Sequence, residues 1–148
     1  MMTTTPVATA TQVYQTYIKA TPEAIWDAIC KPEFTVRYFF GGRIENTPER
    51  HLAYGPNGET WGDSQAFEYE PPRRLVYEWN PLYDDELAAE EPSRVTWEIE
   101  PRDDGTSLLT VTHDRLENAP KTAASVAGGW MYVLSGLKTL LETGESMT

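Results

Sequence analysis

SVAGGWMYVLSGLKTLLE, residues 125–142, decides how this chain folds. Val126, Trp130, Val133, Leu134, Leu137, Leu140 and Leu141 recur at steps of three and four, which puts them on one face of a helix. Lys138 and Glu142 fall off that row, and Gly144 stands where an αL cap stops a helix. A stripe this long and apolar needs a surface to bury against. Upstream, only a series of alternating strands can supply one. The sequence therefore predicts a curved antiparallel sheet gripping a C-terminal helix, with any space left between the two as the first place to look for function. Residue by residue, the same stripe also reads as ordinary core. Gly128-Gly129 interrupts it and is read as a close backbone approach, either to the sheet or to a ligand.

Working back from the helix, residues 106–113 alternate, with Leu109, Val111 and His113 on one face. Asp103-Asp104-Gly105 before them is a hairpin signal. Residues 93–100 put Val95, Trp97 and Ile99 on one face and charged or polar residues on the other, the pattern of a half-buried strand. Residues 74–79 align Leu75, Tyr77 and Trp79, and residues 64–70 alternate as well. Pro71-Pro72 between them cannot donate ladder hydrogen bonds. Residues 51–54 read as a strand, followed by the turn Gly55-Pro56-Asn57-Gly58 and then Trp61.

Nearer the N-terminus, residues 13–18 are β-branched and aromatic and read as a first strand. Thr21-Pro22-Glu23 is a helix start: an N-cap, a proline at the first position, and an acid facing the positive dipole end. Ile25, Trp26, Ala28 and Ile29 give that helix an apolar arc. Pro32-Glu33 opens another, carrying Phe34, Tyr38, Phe39 and Phe40 and ending at Gly41-Gly42. Residues 1–11 are rich in Thr and Ala and are expected to be flexible, leaving a single domain over 12–144. Residues 81–92, with Asp84, Asp85, Glu86, Glu90 and Glu91, read as a long acidic loop with room for one helical turn. Its carboxylates lack the spacing of a calcium loop.

At 148 residues the chain is large enough for one real core. Its formal charge is -11, from 12 Lys+Arg against 23 Asp+Glu, which argues against nucleic-acid partners and against an anionic membrane surface. No apolar run is long enough to span a membrane, and the start of the chain lacks the basic and apolar regions of a signal peptide, so a cytoplasmic protein is expected. Cys30, alone, forms no internal disulfide and falls in an apolar helical pattern. Two distant histidines and one cysteine make no metal motif, and no phosphate loop or dinucleotide fingerprint is present, so no cofactor is expected.

His113 is the histidine read as inward-facing. It could hydrogen-bond a ligand or act as a general base, or be held structurally by a backbone carbonyl. His51 is read as exposed and remote. Large rings with polar tips suit a pocket for a flat apolar guest, and suit a plain core equally.

The pieces in order resemble the activator-of-Hsp-ATPase-homologue (AHSA) family within the START-like (SRPBCC) superfamily. They are Ala20-Thr21-Pro22-Glu23-Ala24-Ile25-Trp26, Gly41-Gly42-Arg43, Trp61-Gly62, Pro71-Pro72-Arg73-Arg74-Leu75-Val76-Tyr77-Glu78-Trp79, Val95-Thr96-Trp97-Glu98-Ile99, Leu109-Thr110-Val111-Thr112-His113, and Gly129-Trp130 through Leu134 to Glu142. The resemblance implies an α+β helix-grip (START/Bet v-like) fold of order βααβββββα, with a cavity between sheet and helix. It brings no universal catalytic set, because the superfamily spans carriers, cyclases and cochaperone domains.

The leading expectation is a non-enzymatic binder of a small apolar or aromatic molecule, held by Phe39, Phe40, Trp61, Tyr77, Trp79, Trp97, His113, Trp130 and Leu134. The alternatives are an enzyme of cyclase, hydratase or isomerase type using His113, and a cochaperone-like interaction module of the stress response. A homodimer and a chaperone are the protein partners left open.

Overall fold

A computed structural model of the protein describes residues 11–148. The expected flexible stretch over 1–11 lies outside the described residues, apart from the exposed Thr11. The element order is β1 (Gln12–Ile18), α1 (Pro22–Cys30), α2 (Pro32–Thr35), β2 (Arg43–Asn46), β3 (Arg50–Tyr54), β4 (Thr60–Glu70), β5 (Arg74–Trp79), α3 (Asp85–Ala88), β6 (Ser93–Pro101), β7 (Ser107–Asp114) and α4 (Pro120–Thr143). The helix-grip order is filled out by one short strand, β2, and by the single helical turn α3. The strands form an antiparallel sheet ordered β1-β7-β6-β5-β4-β3-β2, and α4 lies across its concave face.

The sheet curls because β4 changes partner along its length. Residues 60–65 pair with β3, and from Ala66 onward the strand pairs with β5, with a register shift between Ala66 and Glu68. A bulge increases local twist and bends the strand. The β2–β3 end of the sheet is thereby swung up beside α4. The Pro-Pro pair closes the β4–β5 connection with a cis Pro71-Pro72 bond.

The predicted stripe of α4 is buried: Val126, Trp130, Val133, Leu134, Leu137 and Leu140 meet the strand residues Leu75, Tyr77, Val95, Trp97, Ile99, Leu109 and Val111 in one core. Gly144 caps the helix at φ 80°, its N–H donating to the Leu140 carbonyl at 2.8 Å. The off-stripe pair Lys138–Glu142 closes at 2.8 Å, with Lys138 Nζ also donating to the Tyr17 carbonyl at 2.6 Å. Close backbone approach occurs at Gly136, where an added Cβ would sit 3.1 Å from Tyr38 Cβ, and not at Gly128-Gly129, where it would meet nothing within 4 Å.

At the other end, Thr21 Oγ1 accepts the Ala24 N–H at 3.1 Å and caps α1. Cys30 is buried on that helix, and burial first, then the Asp27 charge, push its thiol up to about 12, out of reach of thiolate chemistry. The second helix stops at Thr35, short of the expected end at Gly41-Gly42. Thr35 Oγ1 instead donates to the Gly42 carbonyl at 2.9 Å and accepts the Ile44 N–H at 2.9 Å, tying the following turns to β2.

The 103–105 hairpin forms with Gly105 at φ +86°. No neighbour obstructs a side chain there, so the penalty of substitution is purely backbone. Gly105→Val should lose about 1–2 kcal/mol in urea melts, whereas the exposed Asp103→Ser should stay within about 0.5 kcal/mol.

Candidate functional site

Between the raised β2–β3 end of the sheet and the N-terminal half of α4 lies a cavity of about 370 Å³. That is within the usual range for small-molecule sites, roughly 300–1,000 Å³. Ile44, His51, Ala53, Trp61 and Gly62 form one wall, Val126, Gly129, Trp130 and Val133 of α4 the other, and Trp79 the floor between them. Phe39 and Phe40 close one end; Asn80, Pro81, Tyr83 and Ser125 rim the other. No charged residue contributes to the lining.

Of the nine residues expected at the site, Phe39, Phe40, Trp61, Trp79 and Trp130 line the cavity. Tyr77, Trp97, His113 and Leu134 lie behind its lining, packed in the core. Trp97 Nε1 donates to the Tyr77 hydroxyl at 2.9 Å, and the ring of Trp97 meets Trp130 edge-on at 5.5 Å. Trp130 is the hinge between the layers: its ring also contacts Phe39 at 6.1 Å and Trp79 at 5.6 Å.

His113 is a structural histidine. Trp130 Nε1, which can only donate, sits 3.0 Å from His113 Nδ1, and Ser93 Oγ sits 2.7 Å from Nε2. The proton must therefore be on Nε2, directed at the serine hydroxyl. Burial holds the ring neutral, at a value of about 4, with the Asp114 charge opposing weakly. Both nitrogens are occupied by side chains, in place of the backbone carbonyl considered from sequence.

His51, expected to be exposed, is 4% exposed and belongs to the cavity wall. Its ring stacks on Tyr77 at 3.9 Å and 6°, and its Nδ1 lies 2.7 Å from Asn46 Oδ1. The Asn46 amide is oriented by Nδ2 donating to the Ile29 carbonyl at 3.1 Å. Burial pushes His51 down to about 3. The sequence signal was present but ambiguous. Strand alternation places His51 and Ala53 together on one face, yet the larger Leu52 between them points the other way and looks like the core residue.

Phe40 has φ 53°, a left-handed conformation that a bulky residue adopts at a cost of about 1–3 kcal/mol. Its exposed ring stacks on Tyr132 of α4 at 5.3 Å and 12°.

The acidic loop shapes the opposite rim. Ala119, the N-cap of α4, offers no side-chain acceptor. Glu90 takes its place, accepting the N–H groups of Lys121 and Thr122 at 3.0 and 2.8 Å and the Thr122 hydroxyl at 2.9 Å. Lys121 Nζ reaches back to Glu86 at 2.6 Å. These bonds pin the segment that carries Pro81 and Tyr83 over the cavity. Desolvation works to raise Glu90, but the two N–H groups, the hydroxyl and the Lys121 charge together hold it below its ordinary value. A depressed carboxylate stabilises the fold above its unfolded value, and that contribution is lost as pH falls through the folded value. Glu90→Ala should cost about 1 kcal/mol near neutral pH, the usual worth of a helix N-cap, and the difference from wild type should vanish in acid melts.

No curated protein matches the chain by sequence. Solved structures share the fold. Protein MLL2253 from Mesorhizobium loti superposes with a TM-score of 0.72 at 22% identity, over 89% of this chain and 96% of that one. The Aha1 dimer from Colwellia psychrerythraea gives 0.72 at 16% identity, over 93% of this chain and 100% of that one. DynU16, a protein of the dynemicin biosynthetic locus, also gives 0.72 at 19% identity, over 93% of this chain but 49% of its own. The family model described as Activator of Hsp90 ATPase homolog 1-like protein matches residues 19–142. With that match across most of its length and the helix-grip fold to accompany it, the chain belongs to the AHSA1 family.

Proposed function

We propose that this protein binds a small, flat, apolar or aromatic molecule in the cavity between the β2–β3 end of the sheet and α4. The observation that carries this is the cavity itself: about 370 Å³, walled by Phe39, Phe40, Trp61, Trp79 and Trp130, and free of charged residues. A concave, mostly apolar and aromatic space of this size with a few polar groups on its lining is the usual form of a small-molecule site. Binding without turnover fits the polar groups on hand. His113, the residue on which an enzyme reading would rest, has no free nitrogen for acid–base work.

Native mass spectrometry of freshly purified protein tests this reading. A mass excess corresponding to one small molecule, lost on denaturation, is the expected result. Uniformly empty protein that also fails to take up added hydrophobic aromatics would overturn it.

A second reading is a chaperone-interaction module of the stress response, acting in the cytoplasm. It draws on the family's description and on the exposed, stacked pair Phe40 and Tyr132. Pull-down with an Hsp90-type chaperone, abolished by Tyr132→Glu, would favour it. The dimer named in one structural neighbour makes sedimentation of the purified chain the companion measurement.

A further inference from the structure

We propose that His51 is the specificity-determining residue of this cavity, and that the ligand it selects is a neutral, flat apolar molecule carrying a hydroxyl that donates to His51 Nε2. This rests on the ligand-binding reading above and names the class of ligand.

The Ile29 carbonyl can only accept, so the Asn46 amide must turn Nδ2 toward it. Asn46 Oδ1 is then the atom 2.7 Å from His51 Nδ1, and an amide oxygen can only accept. The imidazole proton is therefore on Nδ1, and Nε2 carries a lone pair. Nε2 has no hydrogen-bond partner among the described residues and is not sealed behind protein atoms, so this acceptor opens on the cavity that His51 lines. Tyr77 stacked beneath the ring at 3.9 Å and the Asn46 bond at its edge keep it from turning.

A fixed acceptor in an apolar wall is selective. A ligand carbonyl or carboxylate would set lone pair against lone pair. An ammonium could donate, but no carboxylate lines the cavity to offset its desolvation. A hydroxyl donates, stays neutral, and sits at the edge of a ring that the surrounding aromatics accept face-on or edge-on.

The test is a matched pair of probes, β-naphthol and its methyl ether, titrated into the full chain by calorimetry. The ether keeps the rings and removes the donor. Wild-type protein should bind the naphthol roughly tenfold more tightly, the worth of one hydrogen bond to a buried acceptor. The Nε2 resonance of His51 in heteronuclear NMR should move with the naphthol and stay in place with the ether. His51→Phe keeps a ring to stack on Tyr77 and should bring the two probes to nearly equal affinity. Equal affinity in the wild type, or a naphthol complex that leaves the Nε2 resonance unmoved, overturns the role of His51 while leaving ligand binding standing. Failure of both probes to bind overturns both. The probe comparison and the NMR readout use the wild-type chain, so they decide the matter even where His51→Phe folds poorly.

Discussion

Trp130→Ala should destabilise the protein by about 3–5 kcal/mol, the range for removing a large buried aromatic. Trp130 is 2% exposed and its ring contacts Phe39, Trp79, Trp97 and His113, so four aromatic partners lose a face at once. It also removes the donor to His113 Nδ1, stranding a buried acceptor. Because the same side chain lines the cavity, part of the void it leaves merges with space already present, which pulls the value toward the lower end. Trp130→Phe separates the contributions in part: it keeps a ring but loses the N–H and some of the indole volume, and should cost about 1–3 kcal/mol, less than the alanine. Urea melts of the two variants give both numbers. A loss below about 1 kcal/mol for Trp130→Ala would mean that α4 does not depend on this residue for its grip on the sheet.

His113→Phe should cost about 2–6 kcal/mol, because it leaves two buried groups, Trp130 Nε1 and Ser93 Oγ, without their partner, each at about 1–3 kcal/mol. The double variant with Trp130→Phe should lose less than the sum of the singles, since the two share one hydrogen bond. A pH signature accompanies this. The unfolded chain takes up histidine protons near 6.5, whereas the folded chain resists them down to about 4 at His113 and about 3 at His51. Between those values the unfolded state binds more protons, so stability is full above 6.5 and falls as pH falls. Melts of His113→Phe should show a shallower decline over that window. An unchanged slope would mean that His113 titrates alike in both states.

The sequence made some of this plain and hid the rest for physical reasons. The α4 stripe was legible because seven apolar residues at helical spacing admit one period, and the strand faces of β5, β6 and β7 followed from alternation. Alternation fixes which face a residue is on, not how far along the sheet the cavity extends. Tyr77, Trp97 and His113 were placed on the correct face, yet they sit behind the cavity lining, because its position depends on where β4 changes partner. His51 was missed because Leu52 competes with it for the inward position on a five-residue strand. The close approach at Gly136 depends on Tyr38, far off in the chain, and nothing near Gly136 marks it over Gly128 or Gly129. The Glu90 cap joins residues about thirty positions apart, across a loop whose composition suggested only solvation.

Gly129→Leu offers the most direct test of the central claim, that the cavity is a binding site. Gly129 lines the cavity, and a Cβ added there meets no atom within 4 Å, so a leucine can occupy the open space without forcing the core apart. Replacing glycine inside a helix also favours folding by up to about 1 kcal/mol. Calorimetric titration with β-naphthol, read beside a thermal melt, should show one-to-one binding to the wild type, none to Gly129→Leu, and an equal or higher melting temperature for the variant. Equal binding by the two proteins, or none by the wild type, would contradict the account.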